Sequence, residues 1–322
     1  MREPTVGRAL GAGFRAVAGE TWLVVLGLCV ALSRGLLALP GTAFVVAVSW
    51  LVAREALHRG GGLPGVVAAV AQAWSAPRFR SIAIGLWLGG LLLWGALRVA
   101  WVAGAAPLVA WRLSGASGPS PAFAEGAARR FHQVLPAAVV ALLLDLLGKG
   151  MVLAAVLGVV AVGSRAQGSG SSGPAAFVAA LGVAAAALLA TSLSALGDVA
   201  VARAAMAGED LLRSLKRGLG SFLSRPAAFL VVILAVWLGT VLASGSLQGV
   251  LGLLGSAARG GPRWLMVVPD AMLAVLGALL AAGAELWRLA AVGVLSLAPQ
   301  EGREKRVMTF RSESLGIRPP SQ

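Results

Sequence analysis

From Pro226 to Ala258 the chain runs without a charged side chain, and that run constrains the fold more than any other feature. About 20 apolar residues carry a helix across a bilayer. Just before it, Leu211, Leu212, Leu215, Leu219, Phe222 and Leu223 fall at helical spacing on one side, with Glu209, Arg213, Lys216 and Arg217 on the other. A helix of that kind lies in the headgroup plane. This unit, a basic amphipathic segment followed by apolar runs, recurs along the chain and predicts a polytopic membrane protein.

Composition agrees. Hydrophobic residues make up 58% of the 322 and charged residues 12%, against about 25% charged in a soluble domain. The net charge of +14 comes from bases beside apolar runs rather than in one separable domain. That placement argues for loops held at an anionic lipid surface and against nucleic acid. Arginine outnumbers lysine and tyrosine is absent, as GC-rich coding would produce. Cys29 is the sole cysteine. No internal disulfide can form, and Leu28 before it does not suit a lipoprotein signal, so a packed thiol is expected. Roughly twenty residues of mixed character precede the first apolar run, unlike a cleaved signal peptide.

In chain order, Val6, Leu10, Phe14 and Val17 align opposite Arg8 and Arg15 as a first surface helix. Glu20 to Leu39 reads as a span, Pro40-Gly41 as a tight turn, and Ala43 to Leu57 as the return. Gly60-Gly61-Gly62 breaks the pattern before a second surface piece, Leu63 to Trp74. Ser81 to Leu113 is either one long tilted helix or two short spans turning near Arg98 to Gly104. Basic segments on both sides look cytoplasmic, so parity favours two.

Gly115 to Pro121 is a linker, with Ser120 at an N-cap position and Pro121 in the first turn. Phe123, Ala127, Phe131 and Leu135 line a third surface helix, where Glu125 and Arg129 pair at i,i+4. Pro136 to Val162 is a span, Ser164 to Pro174 a flexible Gly/Ser loop, and Ala175 to Leu196 the return. After the basic piece come Ala227 to Leu254 and Trp264 to Leu297, joined by Ser256 to Arg263.

The predicted fold is an all-α polytopic transmembrane helical bundle of about eight spans (alternative six or seven). It repeats an interfacial amphipathic helix plus a helical hairpin four times. Residues 1–297 form one integral membrane domain; 298–322 form a polar, basic cytoplasmic tail expected to be disordered. In this scheme the bases lie mainly on one side, leaving Arg98, Arg165, Arg259 and Arg263 on the other. That asymmetry predicts both termini in the cytoplasm.

Three stretches carry a resemblance. Ala103 to Gly115 leads into Phe123-Ala-Glu-Gly-Ala-Ala-Arg-Arg-Phe131; a span breaks and returns around Val159 to Ala179; and Asp198 to Phe222 exits into Leu211-Leu-Arg-Ser-Leu-Lys-Arg217. Over residues 95–300 this pattern resembles bacterial polytopic proteins related to the membrane domain of glycerophosphoryl diester phosphodiesterases. The family often has a Pro-Gly turn between its two central spans, where this chain has the longer Gly/Ser loop. The soluble phosphodiesterase domain has no counterpart, so the resemblance implies a bacterial inner-membrane protein and no hydrolase activity.

Charges inside spans are costly and therefore informative. Asp145 and Lys149 at i,i+4, and Glu285 and Arg288 at i,i+3, are candidate intramembrane pairs. Each is read as a self-neutralising pair fixing helix packing, or as an ion or substrate relay. Arg34 and Asp270 are expected near external interfaces. Arg129, Arg130, Arg213, Lys216 and Arg217 are candidate contacts for lipid headgroups. Gly85-x-x-x-Gly89 is a possible helix-contact motif; Trp22, Trp74, Trp111 and Trp264 are expected as interfacial anchors, Trp87, Trp94 and Trp237 as packing residues.

Catalytic signals are poor. His58 and His132 have no ligand cluster at metal spacing. Gly170-Ser171-Ser172-Gly173 matches a short serine-protease string but lies in a low-complexity loop. No enzyme, cofactor or metal is expected. The expected function is a non-catalytic scaffold or partner subunit gripping the inner leaflet through anionic lipid. A transporter or lipid-handling protein using Asp145 and Lys149 is the alternative.

Overall fold

The computed structural model describes residues 5–115, 119–166, 172–257 and 264–297. The basic tail, the 258–263 loop and the Gly/Ser stretch 167–171 with Gly170-Ser171 lie outside the described residues, as do the side chains of Arg165, Trp264 and Asp270. The described chain forms α1 (Val6–Ala18), α2 (Thr21–His58), α3 (Gly62–Ser75), α4 (Pro77–Ser114), α5 (Phe123–Ala166), α6 (Ser172–Ala207), α7 (Leu211–Ser224), α8 (Pro226–Ala257) and α9 (Trp264–Leu297). Of these, α2, α4, α5, α6, α8 and α9 are long and apolar enough to cross a membrane. The result is an all-α membrane bundle with six long apolar helices among the described residues, the number the alternative allowed, where about eight spans were the first expectation.

The difference arises in α2 and α4. Helix α2 passes through Pro40-Gly41 unbroken for 38 residues. Gly41 faces the Trp87 indole of α4, which a Cβ there would overlap. The glycine thus serves a close helix crossing, and an apolar helix tolerates proline where neighbours satisfy the freed carbonyl. Helix α4 likewise runs 38 residues without turning at Arg98 to Gly104. At 1.5 Å per residue each is about 57 Å long, well beyond a hydrocarbon core of ~30 Å. Helix α5 continues through Pro136 for 44 residues, joining the third surface piece to its span.

Helices α2 and α4 are antiparallel. Trp101 Nε1 donates to the Leu23 carbonyl at 3.0 Å and Trp94 Nε1 to the Val30 carbonyl at 3.0 Å. Phe44 stacks on Phe79 near the far ends, at 5.4 Å between centroids. Arg54, Arg59, Arg78 and Arg80 therefore lie with α3 at the opposite end from α1. This corrects the parity argument, which placed both basic segments on one side.

The helix contacts close into a threefold pattern. Helices α4, α6 and α9 touch one another at the centre, all running toward the α1 end. Each outer helix follows a short segment, precedes its own inner helix and also packs on the inner helix of the preceding unit. Thus α2 contacts α4 and α9, α5 contacts α6 and α4, and α8 contacts α9 and α6. Among the described residues the outer helices do not touch one another.

The short leading segments obey the same rule, and each makes its contact at a glycine. A Cβ on Gly13 of α1 would come within 3.0 Å of the Ala291 amide of α9; on Gly126 at the start of α5, within 3.1 Å of Pro107 of α4; on Gly218 of α7, within 3.1 Å of Val199 of α6. The repeat of leading helix, outer helix and inner helix occurs three times rather than four. Helix α3 is an insertion in the first copy.

Burial is concentrated at one end. Leu23, Val109, Val134, Val199, Phe229 and Leu286 are fully or almost fully buried in the halves nearest α1. Toward the α3 end, contacts persist within each pair, as where Gly148 of α5 meets Ala190 of α6. Leu92, Leu153, Phe177 and Leu253 are exposed there. The pairs α2–α4, α5–α6 and α8–α9 spread as three arms from a shared packed base.

Candidate functional site

Where the arms converge, four helices bring charges together. Arg98 of α4 contacts Glu285 of α9, with Nη2 at 2.7 Å and Nε donating at 2.8 Å to the same Oε1. Arg288, one turn further along α9, lies 3.4 Å from Asp198 of α6. Asp145 of α5 acts electrostatically on both Arg98 and Asp198 and accepts from Lys149 at 2.6 Å. The Asp198 Oδ2 is enclosed yet accepts no hydrogen bond. Three cations and three carboxylates balance to zero formal charge. Arg34 of α2 stands 5.2 Å and Arg98 5.7 Å from the Trp94 ring centroid.

Asp198 is enclosed, but two of the cations are not sealed inside protein. The Lys149 side chain is 72% exposed and Arg98 41%, although both sit mid-helix. Bare hydrocarbon around them would leave charges without solvation. A separate apolar groove between α8 and α9 is lined by Ala243, Leu247, Val250, Leu276 and Leu280.

The structure places the sequence candidates as follows. Asp145 and Lys149 meet one another. Glu285 and Arg288 each take a partner from another helix instead, because the inner helices approach closely and offer Arg98 and Asp198. Arg34 lies midway along α2 rather than at an interface, since that helix does not turn at Pro40. Arg98 and Asp198 were read as turn or boundary residues. A lone opposite charge in each of two apolar runs was the available signal for pairing them with α9.

A second polar centre lies at the packed base. Arg203 of α6 donates from Nε and Nη2 to the Glu209 carboxylate, both at 2.8 Å, and from Nη1 to the Ser296 carbonyl at the end of α9. Arg217 of α7 donates to Glu209 at 2.8 Å. Gly208, at φ 68°, turns the chain so that Glu209 comes back under Arg203. Burial alone would raise the Glu209 carboxyl, but hydrogen bonds from Arg203 and Arg217 hold it below the usual carboxylate range. Glu20, buried between α1 and α2, accepts from Trp22 and from Arg112 of α4, each at 2.7 Å.

The basic candidates for lipid divide. Arg130 turns inward and donates to the Ala205 and Met206 carbonyls, neutralising the C-terminal dipole of α6. Its Nη1 is thereby committed to the end of α6. Arg129 pairs with Glu125 at 2.7 Å and Arg213 with Asp210 at 3.7 Å, both on the surface. Arg217 is exposed beside Glu209, and Lys216 is exposed. Among the described residues no three His, Cys, Asp or Glu side chains gather as a metal set.

Compared with known proteins, the chain matches no family model, no curated protein and no solved structure. The resemblance to the phosphodiesterase membrane domain therefore stands on its three quoted stretches alone.

Proposed function

We propose that this chain is a non-catalytic integral membrane protein that seats its packed base in one leaflet and serves there as a scaffold or partner subunit. Helix α7 carries the reading. At 100° per residue its surface divides into three sectors. Ser214, Gly218, Ser221 and Phe222 pack on the bundle; Leu212, Leu219 and Leu223 are exposed on one flank; Arg213, Lys216 and Arg217 are exposed on the other. Protein, acyl chain and water meet at such a helix only at a membrane interface. The threefold pattern sets α1 and the start of α5 at the same level, so Arg8, Arg15 and Arg129 join the basic collar. Arg54, Arg59, Arg78 and Arg80 at the other end are fewer than the bases at the base, which favours a cytoplasmic base, with both termini inside and anionic lipid as partner.

The test uses the full chain with Cys29→Ser, reconstituted in vesicles containing anionic lipid. A label at Leu212→Cys is expected to be quenched by lipid-borne quencher, and one at Arg213→Cys by aqueous quencher. Equal quenching of both from water overturns the interfacial seat. Reporter tags at Gly60 and beside Arg217 are expected on opposite faces; finding them on one face would remove the six-helix arrangement beneath the proposal.

A second reading, lipid handling or transport, is favoured by one observation: Lys149 and Arg98 are exposed although both sit mid-helix.

A further inference from the structure

We propose that Arg34 of α2 holds a singly charged oxyanion beside Trp94, within the apolar depth of the span. Neither reading above gives Arg34 a ligand, so the site goes beyond both.

Arg34 is exposed and is the one charged residue between Glu20 and Arg54. Along the helix it lies about 21 Å from the first and about 30 Å from the second. Val25 and Leu32 are exposed before it, and Leu36, Leu39, Val46 and Leu51 after it. Acyl chains therefore suit α2 on both sides of the arginine, whose side chain reaches neither polar end. A guanidinium is always cationic in a protein and brings five N–H donors. Alone in hydrocarbon it is costly.

The protein supplies only part of what Arg34 needs. Trp94 Nε1 donates to the Val30 carbonyl at 3.0 Å, which fixes the indole one turn before Arg34. Its ring centroid lies 5.2 Å from the Arg34 guanidinium carbon. A ring face attracts the charge but has no lone pair for the N–H groups. Because α2 and α4 are antiparallel, Arg98, one turn after Trp94, lies toward the packed base and Arg34 toward the α3 end. The carboxylates of the cluster are committed: Glu285 to Arg98, Asp198 to Arg288 and Asp145 to Lys149. Among the described residues Arg34 has neither a carboxylate nor a hydrogen-bond acceptor. Counting it, four cations face three carboxylates, which leaves one positive charge unmatched. One negative charge shared by two oxygens answers both that charge and the fork of donors. A carboxylate or a phosphodiester has this form; a halide does not.

The experiment compares the full chain with Arg34→Gln, both purified in non-ionic detergent and depleted of lipid. Each is titrated with phosphatidylglycerol, diethyl phosphate, acetate or chloride, and affinity is read from the shift in thermal unfolding. The native chain is expected to bind at least one of the three oxyanions on the order of ten times more tightly than the variant. Anions also meet the basic collar, so only this difference reports on Arg34.

An advantage for phosphatidylglycerol alone supports the site and assigns the oxyanion to a lipid. An advantage for diethyl phosphate or acetate supports it with a soluble ligand. Equal affinities of the two chains for all three overturn it, and a chloride advantage as large as any oxyanion's overturns the choice of an oxyanion. Should Arg34→Gln not fold, Arg34→Lys decides, since it keeps the charge and loses the fork. Weaker oxyanion binding by that variant supports the proposal, and unchanged oxyanion binding overturns it.

Discussion

Arg98 of α4 and Glu285 of α9 meet at 2.7 Å on two helices that run in the same direction, 187 residues apart in sequence. Parallel inner helices cannot be neighbours through a short loop, so their register must be fixed by side chains. Knobs of leucine and alanine permit sliding by a turn at little cost, whereas a charge pair in a low-dielectric setting does not. The same holds for Arg288 and Asp198 between α9 and α6. The two ion pairs act as pins across the central triangle.

A double-mutant cycle measures the first pin. Arg98→Gln alone leaves Glu285 charged beside hydrocarbon and should cost about 2 kcal/mol, as for a lost hydrogen bond to a charged group. Glu285→Gln alone should cost a similar amount. The double variant should regain much of the loss, giving a coupling of roughly 1 kcal/mol or more in detergent unfolding. Strict additivity of the two single effects would mean that the pair does not hold the helices.

Glycines at the leading segments give a prediction of opposite sign within one helix. At Gly218 a methyl would press to 3.1 Å on Val199, whereas at Gly220, two residues on, it would meet nothing within 4 Å. Gly218→Val should therefore destabilise by about 1–3 kcal/mol through overpacking. Gly220→Ala should stabilise by about 0.5–1 kcal/mol, because alanine loses less backbone freedom in a helix. Thermal unfolding of both variants in the same detergent checks the contrast. Two shifts of the same sign would contradict the close seating of α7 on α6.

Much of this was legible in the chain, and what was not has a physical reason. Helix α7 and its join to α8 at Pro226 could be read because spacing, charge and proline act locally. So could Asp145–Lys149, one turn apart on one helix. Pro40-Gly41 misled because a Pro-Gly pair marks a turn in water. Within an apolar helix the same glycine can serve a crossing, as Gly41 does at Trp87. The parity argument failed with it, since one unbroken α2 moves every base from Arg54 to Arg80 to the other end. Glu285 and Arg288 had a local partner in view; only the approach of α4 and α6 shows that more distant partners win. The threefold arrangement was half visible, as a repeat whose copies share pattern rather than residues.

The clasp at the packed base makes stability depend on pH in a definite direction. Glu209 is 10% exposed and accepts from Arg203 and Arg217. Its carboxyl titrates below the ordinary 4.5 of a glutamate, because those hydrogen bonds outweigh the effect of burial. A carboxyl with a depressed folded-state value binds protons more readily when unfolded. Its contribution is therefore fully present above about 4.5 and lost as pH falls through the lower folded-state value. Unfolding followed from pH 7 downward in detergent should show a stability loss, confined to the acid side of about pH 4.5, that Glu209→Gln removes. At pH 7 the same variant should be less stable by about 2 kcal/mol, since Arg203 keeps its charge and loses its carboxylate. An unchanged acid profile in Glu209→Gln would assign the pH dependence to another group and leave the clasp without measurable weight.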